Sequence, residues 1–323
     1  MKEVGSLLNY RESIKVFDAT LRDGGLVNDF FFSDEFVKNL YQANVDAGVD
    51  YMEMGYRASK KVFDESKFGK WKFCADDHIR EIVGENNTDL KLAIMADIGR
   101  HDKNDFDEKV NSPVDLVRVA TYIHQIPDAI DMIEDAAKKG YETTCNIMAI
   151  STTQENDLKT AIDMVCQTPV DVIYIVDSFG SIYPEEMARV VDLYANITSK
   201  YGKKLGIHAH NNQQLAFANT IECVGDGVDW LDATYMGMGR GAGNCSMELL
   251  MGFLKNPKYK INPVLKFIEN DMLAVKESGA VWGYDIPYMV TGQLNQHPRT
   301  AIQFIKDKRT DYSEYYNDML IEG

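Results

Sequence analysis

Residues 172–210 carry the pattern that decides the fold, and they read VIYIVDSFGSIYPEEMARVVDLYANITSKYGKKLGIHAH. Two short apolar runs, Val172–Asp177 and Lys204–His210, are typical of buried strands. The segment between them is amphipathic. Pro184 stands where the first turn of a helix accepts proline, and Gly202 stands where a helix end favours glycine. The stretch therefore predicts one β-strand–helix–β-strand unit.

The same unit recurs along the chain. Ser33 can cap a helix that ends at Gly48, and Pro127 and Gly140 mark the start and end of another. Eight units favour an α/β fold of the closed (β/α)8 TIM-barrel type, because open doubly wound sheets more often have about five to seven strands. The predicted strands are Lys15–Leu21, Val49–Met54, Lys91–Asp97, Leu116–Thr121, Thr143–Ala149, Val172–Asp177, Lys204–His210 and Trp230–Tyr235.

The barrel is expected to occupy residues 1–255, and residues 256–323 are expected to form a C-terminal helical extension. This tail reads as three or four short helices without the alternation of strands. It is expected either to cap the barrel or to form the interface of a homo-oligomer. Composition alone leaves both options open.

The composition is that of a soluble globular protein, with 45% hydrophobic and 26% charged residues. The net charge of −16 argues against a nucleic-acid partner, because phosphate binding needs a basic surface. No run approaches the roughly 18 apolar residues of a membrane span, and a signal peptide is not expected. The scattered cysteines form no C-x-x-C pair, which predicts a reduced compartment and a cytoplasmic protein. They are Cys74, Cys145, Cys166, Cys223 and Cys245.

His208 and His210 lie two positions apart at the end of the seventh predicted strand. Side chains alternate along a strand, so both imidazoles are expected to point to the same side. In a barrel of this kind the reactive groups come from the carboxyl ends of the strands and the loops that follow. Two histidines there predict a shared metal ion. The alternative is a pair of solvated or hydrogen-bonded core histidines.

The first predicted strand leads into Asp18-Ala-Thr-Leu-Arg-Asp-Gly-Gly25. Asp18 and Asp23 offer carboxylates, and Arg22 offers a permanent planar cation. Gly24 and Gly25 are expected to let the backbone turn sharply. Because strands one and seven of a barrel are close enough for their ends to converge, an aspartate can join the two histidines in a metal site. The alternative is an Arg–Asp pair at a surface turn.

A glycine-rich segment, Tyr235–Asn244, follows the eighth predicted strand. Its match to the dinucleotide-binding fingerprint is weak, since that fingerprint belongs to the first unit of a doubly wound sheet. An active-site loop that ends at a helix N-terminus is predicted instead, with Asn244 as an oxygen ligand. Glu53 after the second strand and Ser178 after the sixth are minor candidates.

Together these segments resemble the DRE-TIM metallolyase superfamily, whose barrel is also called the HMGL-like or pyruvate carboxyltransferase domain. The matching motifs are D-A-T-L-R-D-G at Asp18–Gly24, H-A-H-N at His208–Asn211 and G-R-G-A-G-N at Gly239–Asn244. The resemblance covers roughly residues 14–254. The tail segment Gly283–Tyr288 is also similar to the helical extension of the 4-hydroxy-2-oxovalerate aldolases, the branch that this chain looks most similar to.

By this resemblance the chain would bind one divalent metal ion at the carboxyl end of the barrel. The ligands would be Asp23, His208 and His210, with Asn244 as a further ligand. Mn2+ or Mg2+ is expected rather than Zn2+, because no thiolate is positioned to join the site.

The resemblance also implies roles for residues around the metal. Arg22 would stabilise the oxygen of an enolate, and Glu53 and Ser178 would bind the substrate. Tyr288 would donate a proton, with a purely structural aromatic as the alternative.

Two positions depart from the family pattern. Leu26 takes the place of the general-base histidine of the aldolases, and Tyr235 falls near the loop cysteine of the 3-hydroxy-3-methylglutaryl-CoA lyases, which argues against that activity. Leucine cannot accept a proton, so water on the metal is expected to do so. Asp29, His101 and His124 are the alternatives.

The expected function is that of a metal-dependent carbon–carbon lyase, an aldolase, that acts on a small-molecule 2-oxo acid through a pyruvate-type enolate. One alternative is an acyl-CoA condensing synthase of the isopropylmalate synthase type. Another is a barrel without turnover that serves as a metal-binding scaffold, which Leu26 keeps open. Retention of Arg22, Asp23 and both histidines speaks against a scaffold, since a scaffold has no need of all four.

Overall fold

The computed structural model describes residues 8–102 and 105–322 of the chain. Eight parallel strands close into a barrel in which neighbours in sequence pair with each other and the last strand pairs with the first. The predicted (β/α)8 TIM barrel is thereby confirmed. The strands are β1 (Lys15–Asp18), β2 (Tyr51–Tyr56), β3 (Lys91–Asp97), β4 (Leu116–Thr121), β5 (Glu142–Ile147), β6 (Val172–Asp177), β7 (Lys204–Ala209) and β8 (Trp230–Ala233).

The strands are buried on both faces, as parallel strands are when helices cover the outside of a barrel. Every residue of β2, β4 and β6 is buried. Each strand begins within two residues of its predicted start. The starts were predictable because runs of apolar and β-branched residues mark buried strands in a sequence.

The predicted end of the first strand is wrong. β1 stops at Asp18 rather than at Leu21, because Thr20–Gly24 form a short helix, α1. Asp18 Oδ1 accepts hydrogen bonds from the Thr20 N–H at 2.9 Å and from the Thr20 hydroxyl at 2.5 Å. These bonds turn the chain out of the sheet. β5, β7 and β8 also end one or two residues before their predicted ends.

Helices cover the outside of the barrel. The predicted ends of α2 are confirmed, since Ser33 Oγ accepts a hydrogen bond from the Phe36 N–H at 3.1 Å and Gly48 ends the helix with a φ of 77°. The helices after α1 are α2 (Asp34–Ala47), α3 (Asp76–Val83), α4 (Ile126–Lys138), α5 (Glu155–Cys166), α6 (Pro184–Thr198), α7 (Ala216–Gly225) and α8 (Met247–Phe253).

The connection from β3 to β4 differs from the others. Its described residues, 98–102 and 105–115, contain a 3-10 turn at Lys109–Asn111 and no α-helix. A cavity beside this connection is lined by His101 and by Asp128 and Asp131 of α4.

The C-terminal helices follow the barrel and begin by packing onto it. The Phe267 ring lies 5.2 Å from the Phe36 ring of α2 and 5.0 Å from the Tyr235 ring, between centroids. Val290, Phe304, Tyr315 and Met319 form a separate apolar cluster among the last helices. Within the described residues, no helix has the length and apolarity that a membrane crossing requires. The helices are α9 (Ile261–Phe267), a π-turn (Ile268–Met272), α10 (Leu273–Glu277), α11 (Ile286–Gln293), α12 (Arg299–Lys306) and α13 (Tyr312–Glu322).

Candidate metal centre and active site

The turn from β1 into α1 places two charged side chains inside the carboxyl end of the barrel. Arg22 and Asp23 are 4% and 1% exposed. Gly24 and Gly25 were expected to provide a sharp turn, but Gly25 has a helical φ of −58°. These glycines are needed for space instead. A Cβ at Gly24 would lie 2.9 Å from the Met238 sulfur, and one at Gly25 would lie 2.2 Å from the Phe30 ring.

Asp23, His208 and His210 converge into one buried cluster. One possible ligand atom from each residue lies within 4.8 Å of the others. The two imidazoles lie on the same side of the chain, as the strand period predicted, with ring centroids 5.2 Å apart and planes nearly perpendicular. A cluster of one carboxylate and two imidazoles has the composition of a divalent metal site with open coordination positions.

Unpaired atoms around this cluster indicate that the residues fit a cation. His208 Nδ1 is hydrogen-bonded to Asp232 Oδ2 at 2.9 Å, whereas its Nε2 is buried without a partner among the described residues. Asn244 donates through Nδ2 to Asp23 Oδ2 at 2.5 Å, and its Oδ1 is likewise buried and unpaired. Buried polar atoms are rarely left unpaired. A metal-ligating histidine typically binds a carboxylate through its other nitrogen, as His208 does here.

The charge states of the cluster suit metal binding. Burial would raise the pKa of Asp23, but the Arg22 guanidinium and the two histidines hold it well below its usual range. Burial lowers the pKa of His210 to about 3, so its imidazole is neutral at physiological pH. An ionised carboxylate and a neutral imidazole are the forms that bind a metal ion.

The glycine-rich loop brings Asn244 to the cluster. A Cβ at Gly239 would lie 2.1 Å from Asn244 Nδ2 and 2.5 Å from Asp23 Oδ2, so only glycine allows these two side chains to meet. Gly241 and Gly243 have φ angles of 65° and 80°, which glycine adopts readily. The loop then enters α8.

Arg22 is held by two carboxylates. Its Nε donates to Glu53 Oε2 at 2.8 Å, and its Nη1 donates to Asp23 Oδ1 at 2.7 Å. Nη2 has no acceptor among the described residues, so it is the atom left to contact a ligand. The Tyr56 ring centroid lies 5.9 Å from the guanidinium carbon.

A buried ion network inside the barrel was not predicted. Arg118, in the middle of β4, donates to Glu53 Oε2 at 3.1 Å and to Asp232 Oδ2 at 2.7 Å. Its guanidinium carbon lies 4.1 Å from the centroid of the Phe17 ring and 4.4 Å from that of Tyr174. This network orients Glu53 beside Arg22 and Asp232 beside His208. The signal in the sequence was one charged residue in each of two largely apolar strands, Arg118 in LVRVAT and Asp232 in WLDA.

The structure places Ser178 and Tyr288 against the glycine-rich loop. Ser178 Oγ accepts a hydrogen bond from the Ala149 N–H at 2.8 Å, and its carbonyl accepts one from Arg240 Nη2 at 3.4 Å. A Cβ at Gly241 would lie 3.2 Å from the Tyr288 ring. Burial raises the pKa of Tyr288, so its phenol stays protonated. Substrate binding by Ser178 and proton donation by Tyr288 stay predictions.

The proposed alternatives for the missing base lie apart from the cluster in the hydrogen-bond network. His101 Nδ1 contacts the Asp97 carbonyl at 3.2 Å, and the exposed His124 stacks on Tyr122 with a centroid distance of 5.8 Å. Asp29 is exposed, with a φ of 53°. Among the described residues, no hydrogen bond links any of the three to the cluster of Asp23, His208 and His210.

Fold and site together define a class, namely (β/α)8 barrels with a candidate metal site at the carboxyl end of the strands. A family model described as HMGL-like matches residues 13–270, and the chain belongs to the HMGL-like family. The predicted family is thereby confirmed.

Known proteins of this kind are similar to the chain over most of its length. An oxaloacetate decarboxylase from Mycobacterium tuberculosis is 28% identical over 76% of this chain and 71% of that protein. A 4-hydroxy-2-oxovalerate aldolase from Thermus thermophilus is 30% identical over 77% and 70%, respectively. A crystal structure of the N-terminal domain of a candidate aldolase from Bacteroides vulgatus has 28% identity and a TM-score of 0.75, covering 90% of this chain and 96% of that one. The names of both relatives agree with the predicted class, because an aldolase and a decarboxylase are both carbon–carbon lyases.

Proposed function

We propose that this protein is a divalent-metal-dependent lyase that breaks the C3–C4 bond of a 2-oxo acid, one carbon away from the C2 carbonyl, and releases a pyruvate-type enolate. The observation that carries the proposal is the buried cluster of Asp23, His208 and His210 beside the unpaired Nη2 of Arg22. A metal site beside a fixed cation suits a reaction in which negative charge develops on a carbonyl oxygen.

The residues around the cluster would have separate roles in the reaction. A divalent ion held by Asp23, His208, His210 and Asn244 would supply a Lewis acid for the carbonyl and carboxylate oxygens of the substrate. Arg22 Nη2 would donate a hydrogen bond to the oxygen that becomes negative. The contact of Glu53 with Arg22 fixes this guanidinium before the substrate arrives, so little reorganisation is needed during the reaction.

Mn2+ or Mg2+ is the proposed ion. The oxygen ligands offered by Asp23 and Asn244 suit these ions, and the cluster contains no cysteine thiolate that would favour Zn2+. Burial raises the pKa of the nearest thiol in sequence, that of Cys245, to about 12, so this thiol is not a ready ligand.

The substrate class is supported by the relatives. Oxaloacetate and 4-hydroxy-2-oxovalerate are both 2-oxo acids, and breaking the C3–C4 bond of either one leaves the same three-carbon enolate. A site that stabilises this enolate can serve both reactions. We propose a 2-oxo acid of this kind, without a CoA thioester, as the small-molecule partner.

The test is turnover with and without metal. Protein freed of metal by a chelator should release pyruvate from oxaloacetate or 4-hydroxy-2-oxovalerate no faster than a protein-free solution does. Mn2+ should restore release above the rate of a protein-free solution that contains the same Mn2+. His208→Ala with His210→Ala should abolish both turnover and the binding of about one ion per chain. His78→Ala, on α3 outside the barrel, is the matched control and should keep both. Unchanged metal content in the double variant would refute the site, and metal binding without turnover by the parent would indicate a scaffold.

We also propose a division of the chain into a catalytic barrel (1–255) and a helical extension (256–323), and a cytoplasmic location, which the five free cysteines suit.

A homo-oligomer through the extension is part of the proposal, because Leu320 and Ile321 of α13 are 52% and 85% exposed. Sedimentation of the parent beside Ile321→Asp would test it. A monomeric parent would contradict the oligomer.

A further inference from the structure

A buried lysine lies in an aromatic cage beside the candidate site. Lys72, in a 3-10 turn that follows β2, is 6% exposed. Its ammonium lies within cation–π distance of four rings, which surround it on several sides. The distances from Nζ to the ring centroids are 4.2 Å to Phe63, 4.5 Å to Tyr56, 5.0 Å to Phe30 and 5.7 Å to Phe68.

Two of these rings connect the lysine with the site. The Tyr56 ring also contacts the Arg22 guanidinium, at 5.9 Å. The Phe30 ring occupies the space above Gly25, the residue before Leu26. The amine therefore stands one ring away from Arg22 and beside the loop that carries Leu26.

The amine has no polar partner of its own. Among the described residues, no atom accepts a hydrogen bond from Lys72 Nζ or forms an ion pair with it. The charged groups that face it are Asp97 at the end of β3, Arg100 in the following loop and Asp29 in the loop after α1. Burial lowers the pKa of Lys72 to about 8, against the opposing effect of Asp97.

A structural role alone does not account for this side chain. Removing most of the water around an ammonium without supplying an acceptor is costly, and an apolar residue of the same length would fill the cage without that cost. A desolvated amine beside a reactive centre is instead typical of a group that gains and loses a proton during a reaction.

We propose that Lys72 accepts the hydroxyl proton of a 4-hydroxy-2-oxo acid when this protein cleaves it. The inference rests on the proposed function and replaces the water that the sequence alone favoured. The neutral amine takes the proton from the C4 hydroxyl, C4 becomes a carbonyl, and the C3–C4 bond breaks. Its electron pair moves to C3 and the C2 oxygen as an enolate. C3 then takes one proton from Tyr288, which water reprotonates, and the ammonium releases its proton to water.

Two substrates separate this step from the rest of the reaction. Decarboxylation of oxaloacetate forms the same enolate but has no hydroxyl proton to remove. Lys72→Met, which fills the cage with an apolar side chain, should lower kcat/KM for cleavage of 4-hydroxy-2-oxovalerate by more than about 10²-fold. It should leave oxaloacetate decarboxylation within about threefold of the parent. Lys60→Met is the matched control, because Lys60 lies in the same connection but is exposed and paired with Glu65, and it should leave both reactions unchanged.

A second variant distinguishes the effect of the positive charge of Lys72 from the effect of proton transfer by its amine. Lys72→Arg keeps the positive charge but cannot lose a proton at working pH, so it should be as poor in cleavage as Lys72→Met. The pH profile of the parent should show a rise with an inflection near the lysine pKa of about 8 for cleavage and not for decarboxylation. This rise should be absent from the residual activity of Lys72→Met.

Three results would overturn the assignment. They are normal cleavage by Lys72→Met, normal cleavage by Lys72→Arg, or equal loss of both reactions in Lys72→Met. The first two would show that the amine transfers no proton, and the third would assign it a general role in substrate binding. A parent without activity on either substrate would refute the proposed function and this inference with it.

Discussion

Polar side chains at the two ends of the barrel differ in whether they have hydrogen-bond partners. At the amino end, Asp50, Asp115 and Asp171 each stand immediately before a strand and accept a hydrogen bond from a backbone N–H of the neighbouring strand, at 2.8 to 3.0 Å. At the carboxyl end, His208 Nε2 and Asn244 Oδ1 are buried without partners among the described residues. Satisfied groups stabilise the barrel, whereas unsatisfied groups are available for a ligand.

Asp50 illustrates the amino end most fully. Its carboxylate accepts hydrogen bonds from the Val16 N–H at 3.0 Å, the Tyr259 hydroxyl at 2.7 Å, Lys15 at 3.2 Å and Lys258 at 2.5 Å. These contacts join β1, the start of β2 and the segment that follows α8. The comparison implies that substitutions at the amino end change stability and those at the carboxyl end change metal binding and turnover.

The largest expected effect is that of Arg22→Lys at the carboxyl end. A lysine has all three of its donors on one nitrogen and lacks the planar fork with which Arg22 contacts Glu53, Asp23 and a ligand through separate nitrogens. The kcat for oxaloacetate should therefore fall by about 10²–10³-fold. Metal content should be unchanged. Steady-state kinetics of the Mn2+-loaded protein measure the effect, with the exposed Arg189→Lys on α6 as control. A near-normal kcat would show that the guanidinium geometry is unimportant.

The second effect is that of Asp50→Asn at the amino end. The amide keeps the shape but loses charge-assisted hydrogen bonds, so the free energy of unfolding should fall by about 2–3 kcal/mol. Urea unfolding measures this change, and kcat per folded molecule should stay at the parent value. Glu155→Gln, which breaks exposed pairs with Lys159 and Arg189, should leave the midpoint of urea unfolding close to that of the parent. A large loss of kcat in Asp50→Asn would contradict the division between the two ends.

The sequence was sufficient for the parts of the site that depend on local geometry. His208 and His210 could be placed together because a strand repeats every two residues. Asp23 could join them because a closed barrel brings the ends of β1 and β7 close together, although β8 lies between them. The end of β1 was missed, because the bonds from Thr20 to Asp18 outweigh the strand propensity of Thr20 and Leu21.

The remaining residues depend on contacts between distant segments. Arg118 and Asp232 were identifiable as charges in apolar strands, but their pairing across the barrel interior depends on the closed sheet. The aromatic cage of Lys72 is harder still to predict from the sequence, because its rings come from the loop after α1, from β2 and from the connection after β2. No sequence period relates these segments.

The third prediction concerns Asp232, which joins the buried ion network around Arg118 to His208 of the candidate metal site. Asp232→Asn removes the charge that accepts the hydrogen bond from His208 Nδ1, so the imidazole is oriented less firmly. The Kd for Mn2+ should rise by about 10–100-fold, as measured by isothermal titration calorimetry. Asp229→Asn is the matched control, because Asp229 lies just before β8 at the amino end and pairs with Arg11. Its Kd should equal that of the parent, and equal effects of the two variants would contradict the comparison.

The smallest expected effect compares Asp18 at the end of β1 with Asp50. Asp18 contacts the neutral donors Thr20 and Asn44 rather than lysines, and burial raises its pKa to about 6. Between the ordinary carboxyl pKa and this value, the folded protein holds a proton that the unfolded chain has lost. The free energy of unfolding should therefore fall as the pH rises, by about 1.5 kcal/mol from about pH 4.5 to pH 6. Urea unfolding of the metal-free parent and of Asp18→Asn across this range isolates the contribution, because other carboxyl groups titrate equally in both. An identical pH dependence of the two proteins would show that Asp18 is ionised throughout the range despite its burial.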